Sequence, residues 1–441
     1  MNTNRKRDPA PETEAAEQQV ENALHCLETR IDLEGSARYS GALVRRRVIQ
    51  TARHLLKLVM VYALTDYSLS MVGVWGTVME WGSLSKNGVR KRLCHCQAWI
   101  GQLIVLVLLA GKLSVPQRAG FRLRLFDACL LSQPGSKKAN WRLHLSFDLS
   151  AGRIDDVHLT STKTGESLTH WQFAANEICL ADRYYGVLRS LGVLLGACAQ
   201  FVIRIGWQNL PVHDRSGHSF SIPDWLKVQS ADPAAQPAQT QGWVRTPQGC
   251  FPVRLIARAI PPEKAEQKRK ELRAEAKRKH RRLDERSLLA AGFVVLVSNL
   301  PEASWSASQI LDLYRFRWQV ELVFKRLKGL LQLDQLRVTR DPGLAQVFLL
   351  TKILIALVLG ELQWRLALTD PATCVDPERP ISLWRLNQLV LAAFRQAMIG
   401  SLTWAAIQKH WPELQRYLCD SPRLRRSQFA DRPDLGMVYD Y

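Results

Sequence analysis

The 441-residue chain has no apolar run long enough to cross a bilayer. Its longest, Leu103–Ala110 and Ile353–Gly360, fall well short of the ~20 residues that a span requires. The N-terminus, MNTNRKRDPAPETEAAEQQ, has basic residues but no apolar stretch after them, so neither an ordinary secretory signal nor a membrane association is expected. Paired cysteines are also missing: nine thiols, an odd number at irregular spacing, argue against a disulfide framework and for a reducing compartment. Cys94-His95-Cys96 has no second ligand pair at zinc-site spacing, so it reads as free thiols in a helix. Acidic residues are in short supply, 40 Asp and Glu against 60 Lys and Arg, and the net charge of +20 points to a polyanionic partner. The shortage is uneven, because residues 1–36 hold four basic and eight acidic side chains, leaving +24 on the rest. An acidic leader on a basic body suits a nucleic-acid binder, although a protein with a merely basic surface fits the same count. With 47% hydrophobic and 23% charged residues, the chain can bury a sizeable core, and its length suggests two or three domains.

Residues 1–35 read as a polar leader that becomes helical near Glu17, and residues 36–112 as helical. Within the latter, Ser68–Met79, a turn at Gly82 and Lys86–Ile100 have helix-turn-helix lengths, the second helix carrying Lys86, Arg90, Lys91 and Arg92. Both a recognition helix and a plain helical hairpin with solvated basic residues satisfy this pattern. From Phe121 the texture changes to short alternating segments, Phe121–Leu131, Trp141–Leu149 and Asp155–Thr160, separated by Gly- and Ser-containing turns. A strand at Ile178–Ala181, a helix at Tyr184–Ala199 and a strand at Phe201–Ile205 follow, which indicates a mixed α/β sheet. Residues 207–262 read as an inserted segment of short strands and loops. Residues 264–286 hold 11 Lys or Arg against five acids and read as an exposed helix, either a solvated face or a phosphate contact. The strand Phe293–Ser298, a helix over 307–331, apolar helices at Leu344–Leu366 and Trp384–Met398, and a basic tail with Arg423, Arg425, Arg426 and Arg432 complete the chain.

Helix 307–331 is the most informative stretch. Ser306 and Gln309 have capping-box spacing at its start. At about 100° per residue, Tyr314, Arg317, Glu321 and Lys328 share one stripe roughly 60° wide and about 21 Å long, beside an apolar stripe of Leu313, Val320, Phe324 and Leu327. A carboxylate flanked by a phenol, a guanidinium and an ammonium resembles a metal ligand within a track of phosphate-binding groups. An ordinary Arg317–Glu321 surface ion pair would give the same spacing. Two further carboxylates could join Glu321: Asp127 within the first strand, and Asp182 at the C-terminal tip of Ile178–Ala181, where α/β sheets favour ligands. Three converging carboxylates suit Mg²⁺ or Mn²⁺, and two such ions can drive phosphodiester cleavage. Asp148, Asp155 and Asp156 are rival acids, placed at a strand end or in a turn that needs polar residues anyway.

Tyr314-x2-Arg317-x3-Glu321-x6-Lys328 matches the Y-R-E-K signature of the bacterial insertion-sequence DDE transposases, and YRFRWQVELVFKRLKG resembles that family's catalytic helix. FDACLLSQPGSKKANWRLHLSFDL resembles its first-aspartate block, ICLADRYYG its second and VSNLP the strand before the helix, so the likeness covers roughly Leu125–Leu333. Cys129 stands where relatives often have a hydroxyl residue, and Tyr184 where they frequently have Gly. The resemblance implies that Asp127, Asp182 and Glu321 are the catalytic triad and metal ligands. Tyr314, Arg317 and Lys328 correspond to groups that hold phosphates of the transposon end, with Arg183 and Lys325 counted beside them as DNA contacts. Some relatives receive a flipped base on an aromatic residue, for which Phe293 and Trp305 are the candidates here.

The implied fold is α/β: a ribonuclease-H-like mixed sheet with helices, interrupted by a mainly β insertion that fits the 139-residue gap from Asp182 to Glu321, plus helical N- and C-terminal regions. The expected domains are a helical DNA-binding region (1–112), a catalytic core (113–206 and 288–340), an inserted β-rich segment with a basic helix (207–287) and a helical C-terminal region (341–441). The expected function is a transposase that binds the inverted-repeat ends of its element, cuts them with Mg²⁺ or Mn²⁺, two ions, and joins the 3′-hydroxyl to target DNA. The partners implied are double-stranded DNA, transposon ends and target, and a second copy of the chain in a synaptic homodimer, in a bacterial cytoplasm at the nucleoid. Two alternatives share these motifs: a DNA-binding protein that has lost catalysis, and a ribonuclease-H-like nuclease without strand transfer.

Overall fold

The structure is a computed structural model that describes residues 31–114, 121–339, 341–369, 383–400 and 409–410. Most of the acidic leader and the basic tail lie outside the described residues. The chain divides into two compact units, Met1–Val107 with Arg340–Tyr441, and Leu108–Thr339.

The first unit is helical. α1 (Leu33–Tyr39) starts on Asp32, whose side chain accepts from the Gly35 N–H, and α2 (Ala52–Leu64) starts on Thr51 and is buried along most of its length. α3 (Leu69–Val78) and α4 (Lys86–His95) start on Ser68 and Ser85 and are joined through Gly82, whose φ of +101° suits a residue without Cβ. α4 buries Val89 and Leu93. Two of its four cations are tied to the unit's own fold: Arg90 Nε lies 2.6 Å from Asp341 Oδ2, and Arg92 donates to the Arg45 carbonyl at 2.9 Å. Lys86 and Lys91 are exposed. α5 (Gln97–Ser114) contains the boundary at Val107.

The second unit is built on one sheet. β1 (Arg122–Leu131), β2 (Trp141–Asp148) and β3 (Arg153–Ser161) form an antiparallel meander, and β4 (Glu177–Ala181), α6 (Leu188–Gly196) and β5 (Gln200–Arg204) form a strand-helix-strand unit parallel to β1. After α7 (Ile222–Lys227) come β6 (Ala238–Thr246), β7 (Gly249–Ala259), α8 (Pro262–Arg278), α9 (Glu285–Ala290), β8 (Phe293–Ser298), α10 (Ala307–Arg315) and α11 (Gln319–Gly329). The eight strands run in the order β3-β2-β1-β4-β5-β8-β7-β6. The first five, with β1, β4 and β5 parallel, are a ribonuclease-H-like arrangement. Phe126, Trp171, Leu191, Leu194, Phe201, Ile203, Leu255 and Val297 are part of its core.

Three local expectations need correction. β6 and β7 are not minor insertion strands: they are nine and 11 residues long and extend the central sheet through β8, which their Gln- and Pro-containing sequence conceals. The helix expected from Tyr184 starts only at Leu188, because 182–186 is a turn whose Gly186 lies against β5; a Cβ there would sit 2.6 Å from the Arg204 carbonyl oxygen. The helix expected over 307–331 is interrupted by a 3₁₀ turn at Phe316–Trp318, which rotates the residues after it by about 60° relative to a continuous α-helix.

α12 (Pro342–Thr369) and α13 (Leu383–Ile399) belong to the first unit, where both pack on α2. Among the described residues α12 is the one unbent helix long and apolar enough to cross a membrane, and 72% of its stretch Pro342–Glu361 is buried in the fold, as in a core helix. The helix expected at Leu344–Leu366 forms with Thr351 and Lys352 inside it, since Thr351 Oγ1 donates to the Val347 carbonyl at 2.7 Å and Lys352 Nζ lies 4.3 Å from the Phe348 ring centre.

Candidate active site

Strand register sets the first two carboxylates side by side. The β1–β4 ladder ends at Phe126↔Ala181, so Asp127 and Asp182 are the next residues on adjacent parallel strands, about 4.8 Å apart along the hydrogen-bonding direction. β4 pairs with β5 through Ala181↔Ile203, which puts Arg204 next in the same row. Asp127 Oδ1 accepts from its neighbour's Ala128 N–H at 2.8 Å, and Asp182 Oδ1 accepts from the Tyr184 N–H at 2.9 Å. Burial pushes the Asp127 carboxyl up to about 6; Asp182 and Glu166 add to this, and the Ala128 N–H and Arg317 oppose it.

Glu321 comes from α11, which packs against β1. It is not gathered with the two aspartates. Among the described residues no group of three or more His, Cys, Asp or Glu side chains stands close enough to hold a metal ion. Instead the Arg317 guanidinium lies between them, with Nη2 2.5 Å from Glu321 Oε1 and Nη1 3.9 Å from Asp127 Oδ2. The guanidinium thereby gives counter-charge to both carboxylates. Tyr314 packs beside Arg317, and burial pushes its phenol up to about 12. Lys328 acts on Cys129 of β1 and lowers the rise that burial imposes on that thiol. Lys325 and Arg183 are exposed.

A groove of about 600 Å³ opens from this point, lined among others by Asp182, Arg183, Arg204, Lys268, Tyr314 and Arg317. α8 contributes Lys268, Glu271, Leu272 and Glu275 to its lining, so the helix presents both signs of charge to the groove. Burial lowers the Lys268 ammonium's pKa, nearby Arg204 and Arg183 lower it further, and Glu271 opposes them. Phe293 and Trp207 also line the groove, whereas Trp305 is absent from its lining. Arg204 and Trp207 escaped sequence reasoning, whereas Lys268 lies in the basic segment 264–286 that it singled out. Arg204 left a signal, a charge in the apolar strand Phe-Val-Ile-Arg-Ile.

The rival acids are accounted for at the other end of β1. Arg122 Nε lies 2.6 Å from Asp148 Oδ2 and its Nη1 2.8 Å from Glu177 Oε1, and it also pairs with Asp155. Arg124 completes the network with Asp155 at 2.8 Å and Glu177 at 2.9 Å. Asp156 Oδ1 is turned onto the Val157 N–H at 2.8 Å. Cys94 and Cys96 form no disulfide among the described residues.

The family profile described as Transposase DDE domain matches residues 120–359. The chain belongs to the DDE transposases. It is 35% identical over 337 residues to the InsL protein of insertion sequence element IS186A of Escherichia coli K12, covering 75% of this chain and 90% of that one. The transposase of insertion sequence element IS421 of Escherichia coli is 35% identical over 338 residues, with the same shares. A more distant likeness, 23% identity over 249 residues, joins it to the transposase of IS231F of Bacillus thuringiensis subsp. israelensis, covering 50% of this chain and 52% of that one. As a DDE transposase the chain acts on DNA, and its family uses divalent metal.

Proposed function

We propose that this transposase binds the terminal inverted repeats of its element, with Asp127, Asp182 and Glu321 holding Mg²⁺ or Mn²⁺, two ions, at the scissile phosphate. The observation that carries this reading is the register that sets Asp127 beside Asp182, with Arg317 spanning from Asp127 to Glu321. The donor set fits the metal: carboxylate oxygens suit hard cations, and a buried Asp127 raised to about 6 lacks a full counter-charge. Once bound, divalent cations supply an activated water and charge stabilisation at the leaving oxygen.

The chain's own groups do the rest. Arg317, released from Glu321, offers a two-pronged donor to a phosphate, and Lys328, Arg183 and Lys325 offer point charges along the same edge. Tyr314, sequestered beside Arg317, contributes a neutral hydroxyl donor. Lys268 and Arg204 continue the cationic path into the groove, so α8 guides DNA toward the acidic row. The 3′-hydroxyl freed by hydrolysis is the nucleophile for joining to target DNA.

In this reading residues 1–112 bind DNA, 113–206 and 288–340 form the catalytic core, 207–287 build the groove's outer wall, and 341–441 form a helical C-terminal region. Two copies pair the two ends as a homodimer in the bacterial cytoplasm, at the nucleoid. The test is cleavage of a supercoiled plasmid carrying the element's two ends. Mg²⁺-dependent nicking and joining by the wild type, both lost in Glu321→Gln while end binding persists, are expected. Nicking without joining would mark a nuclease, and cleavage by Glu321→Gln would remove Glu321 from the centre.

A further inference from the structure

Between α1 and α2 the chain runs through Val44-Arg45-Arg46-Arg47, four exposed residues in a row, three of them cationic. The segment belongs to no helix or strand, yet the first unit holds it firmly. Ala42 and Leu43 before it and Ile49 after it are buried, and the Leu43 N–H donates to the Ala37 carbonyl at 3.0 Å. Glu34 of α1 ties the middle: one carboxylate oxygen accepts from Arg46, and the other accepts at 2.7 Å from the N–H of Ala52, the first residue of α2. Arg92 of α4 donates to the Arg45 carbonyl at 2.9 Å, so a third helix braces the same segment.

This bracing divides the three guanidinia. Arg46 is neutralised by Glu34, whose carboxylate also lies 3.6 Å from Arg38. Arg45 and Arg47 flank Arg46, and among the described residues neither side chain has an ion-pair or hydrogen-bond partner. Residues 33–50 hold four arginines and one acid, so nothing within the segment balances the pair. Two like charges are therefore kept within about 7 Å of each other along the backbone, on a rigid and exposed turn of chain.

The α4 helix, with the length and charge of a recognition helix, is less available. Arg90 is paired with Asp341 and Arg92 with the Arg45 carbonyl, which leaves Lys86 and Lys91. The unengaged forks at this surface are on the loop. A four-residue irregular segment is neither the helix nor the two-stranded ribbon that the major groove admits. Guanidinia on a fixed backbone instead match phosphate oxygens in pairs, and contacts of that kind position a protein on DNA without reading its sequence.

We infer that Arg45 and Arg47 form a sequence-independent phosphate clamp on the DNA that this unit binds. The inference deepens the reading of residues 1–112 as DNA-binding and rests on it. It assigns backbone contact to the loop rather than base contact to α4.

The test measures the affinity of the full-length protein for a duplex carrying the element's end and for an unrelated duplex of the same length, by fluorescence anisotropy over about 50–200 mM KCl. Arg45→Gln combined with Arg47→Gln should lower the slope of log affinity against log salt by nearly two units, about 0.9 per lost contact, and weaken both duplexes by the same factor. An unchanged slope, or a loss confined to the element's end, overturns the clamp. Arg45→Lys combined with Arg47→Lys keeps the charge and should keep the slope. A slope lowered in that variant as well would trace the loss to the fold and overturn the inference. Lys86→Gln combined with Lys91→Gln separates the two readings: a slope lowered there and kept in the Gln loop variant overturns the clamp alone, whereas a slope kept in both overturns the DNA-binding reading of this region.

Discussion

Replacing Asp127 by Asn should stabilise the metal-free protein. The carboxyl moves from an ordinary 3.8 to about 6, first because it is buried and then because Asp182 and Glu166 stand nearby. The folded state therefore holds the proton more tightly than the unfolded chain. Its favourable contribution is complete below about pH 3.8 and is lost as pH rises through about 6. Above that, the ionised Asp127 opposes folding by about 3 kcal/mol, taking 1.36 kcal/mol per pKa unit. Asn cannot ionise, and its oxygen can still accept from Ala128. The lost partner is Arg317 at 3.9 Å, and that guanidinium keeps Glu321 at 2.5 Å. For a unit of this size the gain corresponds to a rise in Tm of about 6–10 °C at pH 7.5. The assay is thermal unfolding in chelator across pH 4 to 8, with the difference between variant and wild type growing from about pH 4 and levelling off above about 6. Added Mn²⁺ should raise the wild-type Tm and leave Asp127→Asn where it was. A variant that melts at or below wild type throughout would refute the burial and crowding argument.

Other consequences follow from the same geometry. Arg317→Ala should weaken or misplace the bound DNA end while leaving Mn²⁺ affinity within about twofold of wild type, because a guanidinium is a phosphate donor and not a cation ligand; footprinting and calorimetry read the two effects separately. Exchanging Lys264, Lys268 and Lys277 of α8 for Gln should reduce the salt slope of end binding by nearly one unit per lost phosphate contact, and an unchanged slope would make α8 a solvated helix. Gly186→Ala should lower both stability and cleavage, since its Cβ would meet the Arg204 carbonyl oxygen at 2.6 Å; a variant with wild-type Tm and rate would show that the turn can shift freely. Glu177→Gln should cost about 3–5 kcal/mol in urea unfolding, because it leaves two clustered arginines short of a buried partner.

Much of the centre was legible in order along the chain. Asp182 ends an apolar strand, Asp127 interrupts one, and Tyr314, Arg317, Glu321 and Lys328 recur at helical spacing, so local pattern marked them as candidates and the resemblance to the family chose among them. The capping box at Ser306 and Gln309 likewise forms as its spacing requires. Spacing reports neighbours within one element, however, and the interruption at Phe316–Trp318 escaped it because nothing in that sequence forbids a continuous α-helix. The same limit hid the place of β6 and β7 in the sheet, since the hairpin they form joins it through β8, which follows β7 only after two helices.

Composition, charge and periodicity thus determined a basic, nucleic-acid-directed α/β protein with three widely spaced acids and a track of cations, since these depend on residue identity and on the geometry of single strands and helices. Tertiary structure decided which groups meet. Register placed Asp127 beside Asp182 and added Arg204 to their row, and the return of α8 brought Lys268 to the groove that Asp182 also lines. It also decided which charges are already spoken for, tying Asp148, Asp155 and Glu177 to Arg122 and Arg124. Burial and pairing are properties of the space between elements, and no single segment of this chain contains that space.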